Sequence, residues 1–275
     1  MKHCVKRRRR LLLWGMWRTA IPTFAISLLI FGAAIVLPWL PNGNAEPENS
    51  QADVGQGRER AILLLIHDTD DTLTAAVSVH TDTRTLSVEA VGYPVQTEVP
   101  YQTALCTLAQ RYAEEGTAVA ERLSAVSGDA YNAVVRLSVS AVAAFVAGSG
   151  NGITYALTEP VGVLPQGEQT LTSLQIADVL RYDGWMQSLT GRAEAHAGVV
   201  AAIINRYLTP HHDLSVLFNR FAALCGDHVT VSGFAAVREE LETLAAQNGG
   251  NICRASVPEG RAVGSDRDRR FVVVK

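Results

Sequence analysis

The sequence predicts an α/β fold, an α-β-α sandwich around a mixed central sheet, preceded by one N-terminal transmembrane helix. The innermost strand is predicted at residues 61–66, a continuous apolar run bounded by charged residues, as in a strand buried on both faces. Strand-like and helix-like segments then alternate along the chain, which is typical of an α/β fold. The transmembrane helix is predicted because residues 20–40 carry no charge over a length that can cross a hydrocarbon core.

Further strands and helices are predicted along the rest of the chain. Strands at residues 73–80 and 86–91 are predicted to form an antiparallel hairpin, because Thr81-Asp82-Thr83-Arg84 between them is typical of a turn. Further strands are predicted at residues 133–138, 153–157 and 271–274. Helices are predicted at residues 103–114, 118–127, 139–147, 174–181, 192–208, 214–224 and 232–247.

The first sixty residues predict a membrane topology. Residues 1–19 form a basic segment that contains all seven Lys and Arg of the first 40 residues, so this segment should stay in the cytoplasm. Residues 20–40 then span the cell membrane once, residues 41–60 form a flexible tether, and residues 61–275 form one extracytoplasmic domain. The alternative is a signal peptide cleaved near Gly43-Asn44-Ala45, although the apolar run exceeds the usual length for one.

Charge and cysteine content restrict the function. After residue 40 the chain has 17 Lys and Arg against 27 Asp and Glu, a net charge of −10, which argues against a nucleic-acid partner. An anionic ligand must therefore be held by a local cluster of arginines. Cys225 and Cys253 are the plausible disulfide pair outside the membrane, with two buried free thiols as the alternative.

Two arginines lie on either side of one short polar loop. Arg181 ends a predicted helix, and Arg192 follows Gly191 at the start of the next one. A guanidinium group offers a planar fork of donors and a helix start offers free N–H groups, so the pair suits a phosphorylated ligand. The alternative is that both arginines lie in solvent or neutralise the ends of helices.

Three carboxylates follow the innermost strand, at Asp68, Asp70 and Asp71. Because they repel each other, such a turn either opens to solvent or binds a cation, and Mg²⁺ takes one or two carboxylates together with phosphate oxygens and water. An ordinary acidic turn with Asp capping is the alternative. Together with the two arginines and the membrane anchor, the turn indicates a site for a pyrophosphate attached to a membrane-bound group.

These motifs, in this order, resemble the LytR-CpsA-Psr (LCP) family over residues 61–208. The family's ILLLG-x-D strand is matched by residues 62–68, and its R-x-D-T is matched by residues 69–72. Its L-x-x-G-E-Q-x-L is matched by residues 164–171, and its Y-V-R-x-R and G-R arginines are matched by Arg181 and Arg192. LCP proteins are bacterial membrane-anchored phosphotransferases that move glycopolymers, such as teichoic acids, from a polyprenyl-pyrophosphate carrier onto peptidoglycan.

The resemblance implies roles for particular residues. Asp68 and Asp71 are expected to hold Mg²⁺, Arg181 and Arg192 to bind the pyrophosphate, and Asp71 to act with both arginines in catalysis. An apolar cavity lined by segments such as residues 139–146 is expected to take the lipid tail. The implied partners are a polyprenyl-pyrophosphate-linked glycan, peptidoglycan and the membrane.

The chain also departs from the family pattern. The family's I-P-R-D-T falls on residues 91–95, so Tyr93 and Pro94 replace its Arg and Asp. The second Arg of the pair falls on Asp183, and a later Arg falls on Ala195. Two hypotheses follow, an active but divergent phosphotransferase or a catalytically impaired protein that binds lipid-linked glycan or acts as an envelope scaffold or regulator. A third is a structural or sensory envelope protein without a lipid ligand. The motifs do not place Arg84 or Arg136 in the site.

Overall fold

A computed structural model describes residues 59–101, 104–148, 150–185, 189–225, 229, 231–264 and 269–274. The strands of this part are β1 (Glu59–His67), β2 (Leu73–Asp82), β3 (Ser87–Tyr93), β4 (Glu98–Tyr101), β5 (Ala104–Thr107), β6 (Ala133–Ser138), β7 (Ile153–Leu157), β8 (Gly167–Leu171), β9 (Cys253–Ser256), β10 (Gly260–Val263) and β11 (Arg270–Val273). The helices are α1 (Leu108–Glu115), α2 (Val119–Ser127), α3 (Val139–Ala147), α4 (Ser173–Arg181), α5 (Leu189–Tyr207), α6 (Leu214–Cys225) and α7 (Val231–Gln247).

The central sheet has five strands in the order β6-β1-β2-β3-β9. β2 is antiparallel to both β1 and β3, which confirms the predicted hairpin. β6 runs parallel to β1, and β9 runs parallel to β3. The prediction of a mixed α/β fold with a mixed central sheet is therefore confirmed.

The side chains of β1 contribute to two separate apolar clusters, because successive residues of a strand point to opposite faces of its sheet. Leu63 and Leu65 are fully buried in a cluster that includes residues of α1 and α2. Ile66 is fully buried in a larger cluster that includes residues of α3, α4 and α5. The innermost strand is thus buried on both faces, as its apolar run predicted.

Several boundaries differ from the predicted ones. The helix predicted at residues 103–114 begins only at Leu108, where Thr107 and Gln110 form a capping box, and residues 104–107 are strand β5 instead. Strands β4, β8, β9 and β10 had no predicted counterpart. Cys225 and Cys253 are buried free thiols, and burial raises the pKa of each to about 12.

The predicted cytoplasmic segment at residues 1–19, the transmembrane helix at residues 20–40 and almost all of the tether at residues 41–60 lie outside the described residues. Among the helices of the described part, none has the length and apolar character that a membrane span requires. The predicted anchor and its orientation therefore stay predictions.

Candidate functional site

The acidic turn after β1 is a tight loop in which the three aspartates have different partners. The backbone N–H of Asp71 donates to the carbonyl of Asp68 at 3.1 Å. Asp71 has a φ of 63°, in the left-handed region that Asp adopts more readily than most residues. Asp70 caps the turn from within, since its Oδ1 accepts from Oγ1 of Thr72 at 2.6 Å. Asp68 and Asp71 are therefore the carboxylates that reach beyond the turn.

Asp68 forms an ion pair with Arg181. Nε of Arg181 lies 3.0 Å from Oδ1 and 3.1 Å from Oδ2 of Asp68. The hydrogen bond from Arg181, and after it the one from the backbone N–H of Thr69, lowers the pKa of the Asp68 carboxyl. Arg181 is the last residue of α4, whose start is fixed by a capping box between Thr172 and Gln175. The end of this helix thus brings a guanidinium to the acidic turn.

Asp71 pairs with Arg136, which the sequence motifs had not placed in the site. Nη2 of Arg136 lies 2.6 Å from Oδ1 of Asp71, and Nδ1 of His67 lies 3.2 Å from the same oxygen. In the parallel pairing of β6 with β1, Arg136 lies opposite Leu65, which is two residues before the end of β1. Parallel strands end at the same edge of a sheet, and an Arg near the end of a second strand is the signal that could have identified it.

Arg84 takes no part in this arrangement. It pairs with Asp82, with Nε 3.2 Å from Oδ1, in the turn after β2. Because β2 is antiparallel to β1, this turn lies at the opposite edge of the sheet from the acidic turn. The position of Arg84 makes it a suitable control for substitutions in the site.

Arg192 lies near the start of α5, four residues before His196. His196 is 2% exposed, and burial, followed by the positive charge of Arg192, lowers its pKa to about 3. The ring is therefore neutral at physiological pH, and its Nε2–H donates to the carbonyl of Leu180 at 3.1 Å. This bond ties α5 to the end of α4, directly beside Arg181.

The structure does not bring all four predicted site residues into contact. Asp68 and Arg181 are paired, and Asp71 lies in the same turn. Among the described residues, Arg192 forms no ion pair with Asp68 or Asp71. Burial lowers the pKa of Arg192, and the negative charge of Asp183 opposes this effect.

Several buried polar atoms in and next to the site lack a hydrogen-bond partner in the described part of the chain. They are Nε of Arg136, the hydroxyl of Tyr112, Nε of Arg192 and Nε1 of Trp185. Buried polar groups in folded proteins are nearly always hydrogen-bonded, so such atoms require an explanation. A bound anion would supply acceptors for N–H and O–H groups of this kind.

An apolar cavity of about 270 Å³ lies on the Ile66 face of the sheet. Ala141, Val142 and Phe145 of α3 line it, within the segment that was expected to do so. The ring of Phe145 packs edge-on against Tyr207 at 5.4 Å between centroids, and all the exposed surface of the cavity wall is apolar. Because Ile66 also lines the cavity, the cavity follows the strand that leads into the acidic turn.

At the positions where the family has charged site residues, the side chains of this chain do not supply the same charges. Tyr93 is 3% exposed, and its hydroxyl donates to Oδ2 of Asp129 at 2.7 Å. Asp183 is exposed, and Ala195 is buried at 1% exposure. The positive charge at the acidic turn therefore comes from Arg181 and Arg136 rather than from the family's other motif positions.

The carboxylates fit Mg²⁺ in one specific way. Asp68 and Asp71 lie three residues apart in one turn, which is enough for Mg²⁺ when phosphate oxygens and water complete its shell. No group of three or more His, Cys, Asp or Glu residues suited to a metal occurs in the described part of the chain. The two residues fit Mg²⁺ only if Arg181 and Arg136 give up their present contacts to them.

No protein-family model and no curated protein matches the sequence. Solved structures do match it. A protein from Eubacterium siraeum DSM 15702, provisionally described as a transcription regulator, has a TM-score of 0.68 and 15% identity, covering 85% of this chain and 95% of its own. TagV from B. subtilis has a TM-score of 0.58 and 13% identity, covering 78% of this chain and 90% of its own.

TagT, in a structure with bound LIIa-WTA, has a TM-score of 0.60 and 14% identity, covering 78% of this chain and 85% of its own. TagV and TagT are LCP proteins. The chain therefore has an LCP-like fold.

Proposed function

We propose that this chain is a membrane-anchored protein of cell-envelope assembly that binds a polyprenyl-pyrophosphate-linked glycopolymer and transfers its glycosyl phosphate to peptidoglycan. The observation that supports the proposal is that one strand, β1, connects an apolar cavity with a polar turn. β1 leads from an apolar cavity lined by Ile66 to a turn with two Asp–Arg pairs, at Asp68 and Asp71. A lipid-linked pyrophosphate needs an apolar cavity for its lipid tail next to positively charged groups for its pyrophosphate.

The proposal also rests on TagT, whose structures contain LI-WTA and LIIa-WTA, intermediates of wall teichoic acid. In this proposal the N-terminus is cytoplasmic, the chain crosses the cell membrane once, and the domain from residue 61 onward lies outside. There it would meet both a lipid-linked glycan and peptidoglycan.

The arginines have the central role in the transfer. Arg181 and Arg136 contact the phosphate oxygens, and Arg192 adds a third positive charge. The acceptor hydroxyl attacks the sugar-bound phosphorus, a new O–P bond forms, the pyrophosphate P–O bond breaks, and polyprenyl phosphate leaves. Asp71 accepts the hydroxyl proton, and its side chain is 70% exposed, so an acceptor hydroxyl can reach it. Mg²⁺, held by Asp68 and Asp71, would supply further neutralisation of the phosphate charge.

A second candidate function is binding of lipid-linked glycan without transfer. It is favoured by Tyr93, whose hydroxyl is directed to Asp129 at a position where the family has an arginine. Loss of one preorganised electrostatic contact costs about 3 kcal/mol of transition-state stabilisation, so a site that lacks several family charges can bind well and react slowly. The chain would then act as an envelope scaffold or regulator.

Binding is tested first, with the full chain in detergent and geranyl pyrophosphate as the probe, with and without Mg²⁺. We expect wild type and the control Arg84→Ala to bind equally, and Arg181→Ala to bind about 100-fold more weakly, as for loss of a contact of about 3 kcal/mol. Equal binding by all three proteins would exclude Arg181 from the site.

Turnover is tested next, as release of polyprenyl phosphate from a lipid-linked glycan in the presence of peptidoglycan. Release that Asp71→Asn abolishes supports the transferase. Binding without release supports the scaffold. Absence of any binding by wild type would leave the structural or sensory role, without a lipid ligand.

A further inference from the structure

Two complementary polar groups lie next to each other without a well-aligned hydrogen bond between them. Tyr112 of α1 is 3% exposed, and its hydroxyl has no partner among the described residues. Nε of Arg136 is also buried and without a partner there. The guanidinium carbon of Arg136 lies 5.9 Å from the centre of the Tyr112 ring. An N–H donor and a hydroxyl acceptor that are both buried would be expected to pair.

The contact of Arg136 with Asp71 explains why the two groups are not well aligned. Oδ1 of Asp71 holds Nη2 of Arg136 at 2.6 Å, and this carboxylate belongs to an exposed turn. Nη2 of Arg136 is therefore held by the turn, while its Nε is buried and has no aligned acceptor among the described residues. A phosphate oxygen that competes for Nη2 would release Arg136 from Asp71, and a small rotation could then bring Nε–H to the hydroxyl.

The hydroxyl is suited to accept that bond. Burial raises the pKa of Tyr112, and the positive charge and the polar contact of the neighbouring Arg136 oppose this rise without reversing it. The hydroxyl thus keeps its proton at physiological pH and can accept from Nε–H while donating to a ligand oxygen.

We propose that Tyr112 is a positioning residue for Arg136 in the ligand-bound site. Its hydroxyl accepts a hydrogen bond from Nε of Arg136 when the guanidinium turns from Asp71 to a pyrophosphate group. The proposal rests on the proposed function, because it names the residue that orients one of the arginines of that site. It also accounts for two of the unpaired buried atoms with one contact.

The test compares Tyr112→Phe with wild type, using the full chain in detergent. The probe is inorganic pyrophosphate with Mg²⁺, measured by calorimetry. We expect binding to weaken about tenfold, as for loss of one hydrogen bond to a charged group. The melting temperature should stay nearly the same or rise, because the hydroxyl makes no well-aligned hydrogen bond before the ligand binds.

Tyr131→Phe is the matched control. It removes a hydroxyl beside the same apolar cluster, and that hydroxyl lies 3.4 Å from Oγ of Ser127 and 3.5 Å from Oδ2 of Asp129. We expect this variant to bind pyrophosphate as wild type does. A loss of affinity equal to that of Tyr112→Phe would overturn the proposal, since the effect would then not depend on Arg136.

The Nε–H signal of Arg136 in nitrogen-15 spectra gives a second readout, assigned by its disappearance in Arg136→Lys. We expect pyrophosphate to shift it in wild type and to shift it much less in Tyr112→Phe. Equal affinity and an equal shift in both proteins would overturn the inference alone. Absence of binding by wild type would overturn the proposed function, and this inference with it.

Discussion

Mild acid should destabilise this fold through one buried histidine. His196 is 2% exposed, and burial and the charge of Arg192 hold its pKa at about 3, below the ordinary value of 6.5. In the unfolded chain the ring regains its ordinary pKa and binds a proton below that pH. The stabilising contribution of neutral His196 is therefore fully present above pH 6.5 and is lost as the pH falls toward 3.

The size of this destabilisation follows from the one proton that His196 binds in the unfolded chain. Between these two pKa values the unfolded chain binds one proton more at this position than the folded chain, which lowers the free energy of unfolding by up to about 1.4 kcal/mol per pH unit. Between pH 6.5 and about pH 5 the loss attributable to His196 should therefore reach about 2 kcal/mol. This is a large fraction of the stability of a typical domain.

Urea unfolding of wild type and His196→Gln, at about pH 7.5 and about pH 5, isolates this contribution. The Gln amide can still donate to the carbonyl of Leu180, but it does not titrate. Wild type should lose about 2 kcal/mol more than His196→Gln as the pH falls. A stability difference between the two proteins that stays the same at both pH values would refute this reasoning.

Three other predictions concern the ligand. Ala141→Leu adds three carbons at the wall of the apolar cavity, so the free energy of unfolding should rise by up to about 2 kcal/mol. In calorimetry this variant should bind geranyl pyrophosphate more weakly than wild type does, and it should bind inorganic pyrophosphate equally well. Arg136→Ala should weaken inorganic pyrophosphate binding about 100-fold, with Arg84→Ala unchanged. Bound Mg²⁺ should raise the affinity of the protein for pyrophosphate, and bound pyrophosphate should raise its affinity for Mg²⁺ by the same factor. Titrations of either ligand should show that Asp71→Asn reduces this factor toward one.

The sequence predicted the sheet better than the small strands around it. β1 was recognisable because Ala61 to Ile66 is apolar on both faces, and β2 and β3 because a polar turn separates two alternating segments. β8 was not, since Gly167–Leu171 reads GEQTL and pairs only with β7 in a two-stranded sheet. The start of α1 was placed too early because residues 104–107 are compatible with a helix, and only their pairing with β4 makes them a strand.

The contacts at the acidic turn could be predicted in part, for a similar reason. Asp68 and Arg181 could be proposed because each belongs to a local motif, and the structure joins them across 113 residues. Arg136 and His196 belong to no motif, and their roles depend on tertiary packing. The parallel pairing of β6 with β1 brings Arg136 to Asp71, and buried His196 of α5 bonds to the carbonyl of Leu180 at the end of α4.

The balance of charge in the site gives a reason for a cation if a pyrophosphate binds there. The negative charges of Asp68 and Asp71 are cancelled by Arg181 and Arg136, and Asp183 partly offsets Arg192. A pyrophosphate that enters this nearly neutral site brings negative charges, and Arg181 and Arg136 must leave their carboxylates to meet them. Each carboxylate left behind would be uncompensated, which is unfavourable unless another cation takes it. Mg²⁺ at the acidic turn would resolve both problems together, because it pairs with the released carboxylates and with the phosphate oxygens.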